Sequence, residues 1–373
     1  MAITMVGFLA ASFLSPALGF GPIGLILLSW MALLINRAAL GQGLALVPRL
    51  WRFLLLFGAM ALAESPTWGG AYRVSNLLGT ITFVVAIPSI VVGLALGQPG
   101  ALRQMERGVI ASFWVFSIAT LVYGLGAGID LQRDVIFVPD MQKNGVGAIY
   151  EMLFLYAFAS ARGNVLVQLA ALLTATPALL IIGSKTAIAL SFIFALGLWA
   201  RWLFVVGAPA ALAGVIWEAL KFDYESSLRT AAFRLLTWGQ AWQEIDASPR
   251  TLLFGNGPAT FVSRLPFSDR STAGAHNIIL QLWHDYGLIG LLVVTLLFAW
   301  VWRRFGTLTI PGIACFWLFN LHGLFDVGWV NGPGFVAGLV LGLGMAAAYE
   351  AQPVTAPRAD RLPAEGLAPT AIG

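Results

Sequence analysis

The fifteen residues from His276 to Gly290, HNIILQLWHDYGLIG, decide how this chain is read. The polar pair His276-Asn277 comes first. Nine residues rich in bulky apolar side chains follow, Ile278 to Tyr286, about two and a half helical turns. Gly287-Leu288-Ile289-Gly290 then opens a long apolar run. The pattern predicts a histidine held near the outer edge of a bilayer, at the start of a helix that leads into lipid. The rest of the sequence has to explain why a histidine stands there and what meets it.

The chain has 373 residues, of which 59% are hydrophobic and 10% charged, and its mean hydropathy is +0.85. A soluble chain carries roughly 25% charged residues. The composition therefore describes an all-α polytopic membrane protein, with length for about 12 spans of ~20 residues. The net charge of +4 says nothing by itself about nucleic acid, and none is expected as a partner. A single cysteine, Cys315, lies in an apolar run, so no intrachain disulfide forms. Neither C-x-x-C nor H-E-x-x-H occurs, and neither a metal site nor a cofactor is expected. Met1 to Phe20 is apolar but lacks a basic start and runs into another apolar stretch, so it reads as a first span.

Apolar runs between polar or Gly/Pro punctuation place spans at 3–19, 22–36, 50–64, 76–97, 107–127, 145–161, 164–182, 185–200, 202–219, 287–302, 307–324 and 331–349. With the N-terminus inside, short inner loops hold Arg37, Arg49, Arg52, Arg103, Arg107, Arg162, Arg201, Arg303 and Arg304. Short outer loops hold only Arg73, Arg133, Lys143 and Lys185, which is the positive-inside bias. Four regions follow: a bundle of about nine spans over 1–219, an outer loop over 220–286, about three spans over 287–349, and a disordered inner tail over 350–373. In the outer loop, Ser226 to Glu244 reads as an amphipathic helix, because Arg234, Trp238, Ala241 and Ile245 share one face. Pro249 is expected to end it, and Gly255-Asn256-Gly257-Pro258 to form a turn.

Three residues are candidates for chemistry. His276, with an unperturbed pKa of ~6.5, suits general-base work on a hydroxyl; the alternative is a helix cap or interface anchor. Arg234 offers a planar, permanently charged fork for phosphate oxygens, or is a solvated residue of an interfacial helix. Lys185 belongs at the membrane edge or in a polar cavity, because an ammonium at mid-bilayer costs at least ~2.5 kcal/mol. It either binds phosphate or snorkels to the headgroups. Asn277, Trp238, Arg73, Arg133 and Lys143 are candidate substrate contacts, with Trp238 able to stack on a sugar ring. Asp130, Asp134 and Asp140 are alternative partners for Arg133 and Lys143. Glu64 and Asp326 are alternative bases at membrane boundaries, whereas His284 and His322 read as packing or interface residues. No phosphate-binding loop, Rossmann glycine run, nucleophile elbow or D-x-D pair is present. Chemistry driven by a nucleotide is thus not indicated, and a lipid diphosphate that carries its own activation fits better.

These motifs resemble the bacterial O-antigen ligase and O-antigen polymerase family. Its signature is a histidine followed by Asn, Ser or Gln, nine residues and G-x-x-G, matched here by His276-Asn277, Ile278 to Tyr286 and Gly287 to Gly290. Arg234-x-x-x-Trp238-x-x-Ala241, Leu253-Phe254-Gly255-Asn256-Gly257-x-x-x-Phe261 and Gly183-Ser184-Lys185-Thr186-Ala187 are similar to three further family elements. The likeness covers roughly residues 180–325. It implies a C-type glycosyltransferase fold in the bacterial inner membrane and a donor glycan on undecaprenyl diphosphate. It also implies metal-independent transfer at the periplasmic face to a lipid A core or glycan acceptor. By position His276 matches the family's acceptor-activating histidine, and Arg234 and Lys185 match two arginines assigned to the diphosphate. Lysine stands where the family carries its first arginine. Ligase and polymerase share these motifs, and a lipid-linked sugar transporter or flippase is the reading from a different class.

Overall fold

The computed structural model of the chain describes residues 87–97, 99–127, 143–200, 229–257, 260–263, 272–304, 310–324 and 331–350, together with 205, 206, 209, 210 and 213. Ten helices lie in these segments: α1 (Ile87–Gly97), α2 (Ala101–Ala127), α3 (Lys143–Ser160), α4 (Val165–Ile182), α5 (Lys185–Trp199), α6 (Arg229–Ile245), α7 (Pro249–Phe254), α8 (Ile278–Arg304), α9 (Ile310–Gly323) and α10 (Asn331–Glu350). One antiparallel pair of two-residue strands, β1 (Val262–Ser263) and β2 (Thr272–Ala273), lies between α7 and α8. The all-helical expectation holds apart from that pair.

Three helical segments are long and apolar enough to cross a membrane: Ala101–Gly126, Val165–Ile182 and Ile278–Leu296. Among the described residues that is three, not the twelve expected from hydropathy. The expected spans at 107–127, 145–161, 164–182, 185–200, 287–302, 307–324 and 331–349 fall on α2, α3, α4, α5, α8, α9 and α10. Two shorter apolar helical stretches, Lys185–Trp199 and Val336–Ala348, accompany them. Expected spans 3–19, 22–36 and 50–64, half of 76–97, most of 202–219, and all of the tail 350–373 but its first residue lie outside the described residues.

The bundle is built around α3. Every residue from Val146 to Ala159 is buried, as befits a helix that is apolar all round. Helices α2, α4, α5, α9 and α10 pack against it. Phe113, Tyr150, Phe154, Phe158 and Trp199 form a run of tilted rings along one side, and Ser117 and Tyr150 share a 2.6 Å hydroxyl bond. Outside this core, α2 exposes Val115, Ile118, Val122 and Leu125, and α4 exposes Leu166, Leu169, Leu173 and Leu180. Rows of large apolar side chains facing outward are what lipid, not water, accommodates.

Tight joints fix the helix ends. Asn164 caps α4 by accepting from the Val167 amide, and left-handed Gly183 closes it by donating to the Leu179 carbonyl at 3.0 Å. Ser184 then caps α5 through the Ala187 amide, so the long apolar run over 164–219 breaks at Ser184-Lys185, as its two polar residues indicate. Pro249 does not end the loop helix. That helix stops at Ile245, and Pro249 instead starts α7 behind a Ser248–Thr251 capping box, because the missing amide hydrogen of proline costs nothing in a first turn.

Helix α8 breaks at Gly287 (φ 68°, ψ −174°), a backbone region open essentially to glycine alone. A β-carbon there would sit 2.2 Å from the carbonyl of Leu253, and one on Gly255 (φ 80°) would sit 2.6 Å from the Gly287 nitrogen. The two glycines thus bring the α7 terminus and the α8 break into backbone contact. Gly287→Ala is expected to cost about 3 kcal/mol or more through forced backbone and overlap. Gly239→Ala, in mid-helix with open space around its site, should gain up to about 1 kcal/mol. Thermal unfolding of the two purified variants checks both signs.

Candidate functional site

The break in α8 leaves the carbonyls at the end of Ile278–Tyr286 without helical partners, and the loop supplies them. The amides of Asn256 and Gly257 donate to the carbonyls of His284 (2.6 Å) and Asp285 (3.1 Å). In the other direction, the Trp283 indole donates to the Leu252 carbonyl at 3.1 Å. This nine-residue segment is therefore bound into the loop, and α8 enters its long apolar run only after Gly287.

His276 stands at the head of that segment. Its φ of 50° makes it the one non-glycine residue with positive φ among the described residues. Neighbours on both sides hold that conformation. The buried Ala275 amide donates to Gln281 Oε1 at 2.6 Å, and Asn277 caps the helix by accepting from the Ile279 and Leu280 amides at 3.0 and 3.1 Å. Asn277 Nδ2 also donates to the Leu324 carbonyl at 3.1 Å, tying the head of α8 to the end of α9. The sequence offered Asn277 as a substrate contact; in the fold both ends of its amide hold backbone.

Helix α6 meets His276 from the loop side. The Phe233 ring packs edge-on to the imidazole at 6.2 Å, and Trp238 Nε1 donates to the His276 carbonyl at 3.4 Å. Arg234 lies between these two contacts, one residue after Phe233 and one turn before Trp238. On that same side Thr237, Ala241 and Ile245 are buried, Ala241 packing with Phe261, Ala275 and Leu280. One face of α6 thus builds the loop's small core and holds the histidine.

A buried polar cluster locks the two helices together. His284 is fully buried between two carboxylates, with Nε2 2.9 Å from Glu244 Oε2 on α6 and Nδ1 3.1 Å from Asp285 Oδ1. Ionised carboxylates only accept, so both contacts are hydrogen bonds when each ring nitrogen carries a hydrogen. Gln281 Nε2 donates to the same Asp285 oxygen at 2.8 Å. An unbroken path of hydrogen bonds thus runs from Glu244 through His284, Asp285 and Gln281 to the Ala275 amide beside His276. His284 was expected to be a packing residue; Glu244, Gln281 and Asp285 were not singled out. The signal was present in part: Gln281 and Asp285, four apart, put one polar stripe in an otherwise bulky apolar segment.

Lys143 and Lys185 begin α3 and α5, both exposed. Ser184 Oγ donates to Asn144 Oδ1 at 3.2 Å, so the two helix starts adjoin. Helix α9 packs against both α3 and α5, and Leu324, the residue after it, anchors Asn277. Arg73 and Arg133, with Glu64 and Asp326, lie outside the described residues.

Deeper in the bundle, His322 Nδ1 sits 2.6 Å from Glu151 Oε1, and both side chains are buried. Glu151 lies inside the fully buried stretch of α3. No group of three or more His, Cys, Asp or Glu able to hold a metal occurs among the described residues. No known family model and no curated protein matches the chain.

Two stability predictions follow from this geometry. Asn277→Ala should destabilise by about 1–3 kcal/mol through the lost cap and tether, and Asn277→Asp, which keeps the cap, by less. His284→Ala should cost about 3 kcal/mol, since it strips a partner from buried Asp285. In a double-mutant cycle with Glu244→Gln, the coupling should be near the low end of about 0.5–3 kcal/mol, because Glu244 is half exposed. Denaturation midpoints of the single and double variants measure both.

Proposed function

We propose that the chain is a membrane glycosyltransferase of the O-antigen ligase and polymerase kind, a multi-span C-type enzyme that moves a glycan from undecaprenyl diphosphate to an acceptor hydroxyl at the periplasmic face. The observation that supports this best is the seating of His276 on the Arg234 helix, through Phe233 and Trp238 on either side of the arginine. A guanidinium carried on the helix that seats an imidazole suits such a transfer. One group meets the charge that leaves, the other takes the proton that is released.

In this reaction the acceptor oxygen bonds to the anomeric carbon as the bond from that carbon to the diphosphate oxygen breaks. The electron pair leaves with the diphosphate, where Arg234 and Lys185 neutralise it, with Lys143 beside them and Arg73 and Arg133 as further cations of that side. Charge-assisted bonds of this type contribute roughly 1.5–3 kcal/mol each, and more toward charge that develops only in the transition state. His276 accepts the hydroxyl proton. Attack from the face opposite the leaving group inverts the anomeric centre. The acceptor is a lipid A core for a ligase and a second lipid-linked repeat for a polymerase. The buried Glu151–His322 pair favours one other reading, a transporter or flippase for lipid-linked sugars, because ionisable groups inside spans often line proton or substrate paths.

A deletion strain complemented with variants separates these readings on a gel of surface polysaccharide. His276→Ala should lower transfer about 10²–10⁴-fold and Arg234→Ala about 10²–10³-fold, while Lys185→Arg retains most activity. Loss of all capped lipopolysaccharide with accumulating lipid-linked polymer identifies a ligase, and single-repeat capping a polymerase. Full capping with His276→Ala would refute the catalytic histidine, and full activity of Lys185→Ala would reduce that cation to a headgroup anchor. A transporter predicts the reverse dependence, with Glu151→Gln blocking and His276→Ala tolerated.

A further inference from the structure

Most of the large apolar side chains exposed on the bundle sit on helices that lipid surrounds along their length. One group does not. Leu253 and Phe254, 40% and 38% exposed, end the six-residue helix α7 in the extramembrane loop, and Trp242 on α6 is 43% exposed. These residues form a strip rather than scattered points. The Leu253 and Phe254 backbone lies against Gly287. Trp283, one helical turn before Gly287, donates its indole N–H to Leu252 and meets the Trp242 ring edge-on at 5.3 Å. On the other side of Gly287, α8 exposes Leu288, Leu292 and Leu296, four apart and therefore one stripe of the helix. The exposed stripe of α8 thus begins one residue after the glycine on which α7 packs, and Trp283 links α7 to Trp242 of α6.

We propose that this strip is a membrane ledge, with α7 and the Trp242 edge of α6 resting in the headgroup–acyl boundary of the leaflet at the His276 end. Continuity with the α8 stripe selects lipid as the occupant. A helix that leaves the bilayer at Leu288 puts Leu253 and Phe254 at the boundary, where tryptophans concentrate and short apolar faces insert. The sequence of α7, PRTLLF, agrees. Its one charge is Arg250 in the first turn, and an arginine there reaches the phosphate layer while the apolar end sits deeper. The ledge sets the height of the site. His276 stands at the far end of the segment Ile278–Tyr286, roughly 13 Å of helical rise above the break, and α6 is pinned to the same surface by Trp242.

Fluorescent probes of depth test this in the full-length chain. A Cys315→Ser background removes the native thiol, and Phe254→Cys, Leu253→Cys, Leu292→Cys and Arg162→Cys each take one environment-sensitive nitrobenzoxadiazole label. Labelled protein is placed in phosphatidylcholine nanodiscs, with spin-labelled lipid quenchers near the headgroup or near the chain end. The expected result is blue-shifted emission at 254 and 253, quenched best by the headgroup-side quencher. The 292 label should be quenched best by the deep quencher, and the label at Arg162, in the exposed turn after α3, should be water-like and unquenched. If 292 is quenched but 253 and 254 behave like 162, the ledge is wrong and the span stands. If none is quenched, the membrane assignment of α8 fails with it. Blue-shifted emission at 254 that lipid quenchers leave alone, and that changes on dilution with unlabelled protein, would assign the strip to a second copy and overturn the proposal. None of these readouts depends on transfer activity.

Discussion

The backbone contact between Gly255 and Gly287 is the constraint on which the rest of the site depends. Neither position has room for a β-carbon, since each would overlap the other strand of chain by the widths given above. Because they touch, one continuous stretch of sequence serves two environments. Before Gly287 it is a loop helix whose terminal carbonyls are met by Asn256 and Gly257. After Gly287 it is an apolar helix that exposes Leu288, Leu292 and Leu296. The joint meets two of the four carbonyls that a helix end leaves without partners.

Polar groups are distributed according to what each environment tolerates. In the loop, Glu244, Gln281, His284 and Asp285 form a connected cluster in which each contact pairs a donor with an acceptor. A cluster of this kind gives little net stability compared with apolar packing, but it is costly to break at one member and so favours a single arrangement. That arrangement is the seating of α6 against α8. Inside the bundle, Glu151 and His322 meet at 2.6 Å, and His322 precedes Leu324, the anchor of Asn277, by two residues. The position of His276 is thus braced from the loop by Phe233 and Trp238 and from the bundle through Asn277.

Much of this was legible in the sequence. Hydropathy located α2 to α5 and α8 to α10 to within a few residues, because long apolar runs interrupted by polar punctuation have few alternatives in a bilayer. The face shared by Arg234, Trp238, Ala241 and Ile245 was likewise readable from spacing. What could not be read was pairing over distance. Glu244 and His284 are forty residues apart, and nothing in local pattern says that they meet. The role of Pro249 was misread for a related reason. A proline suggests an end, whereas Pro249 begins a helix, because Ser248 and Thr251 close a box around its first turn.

The proposed reaction needs His276 and Arg234 to act together in one displacement at a lipid-linked diphosphate. The most direct measurement uses purified protein in nanodiscs with a defined undecaprenyl-diphosphate glycan and a soluble acceptor sugar, and determines the anomeric configuration of the product by nuclear magnetic resonance. A single displacement assisted by His276 predicts product of inverted configuration with release of undecaprenyl diphosphate. Retained configuration, or an intact donor that merely changes leaflet, would contradict it.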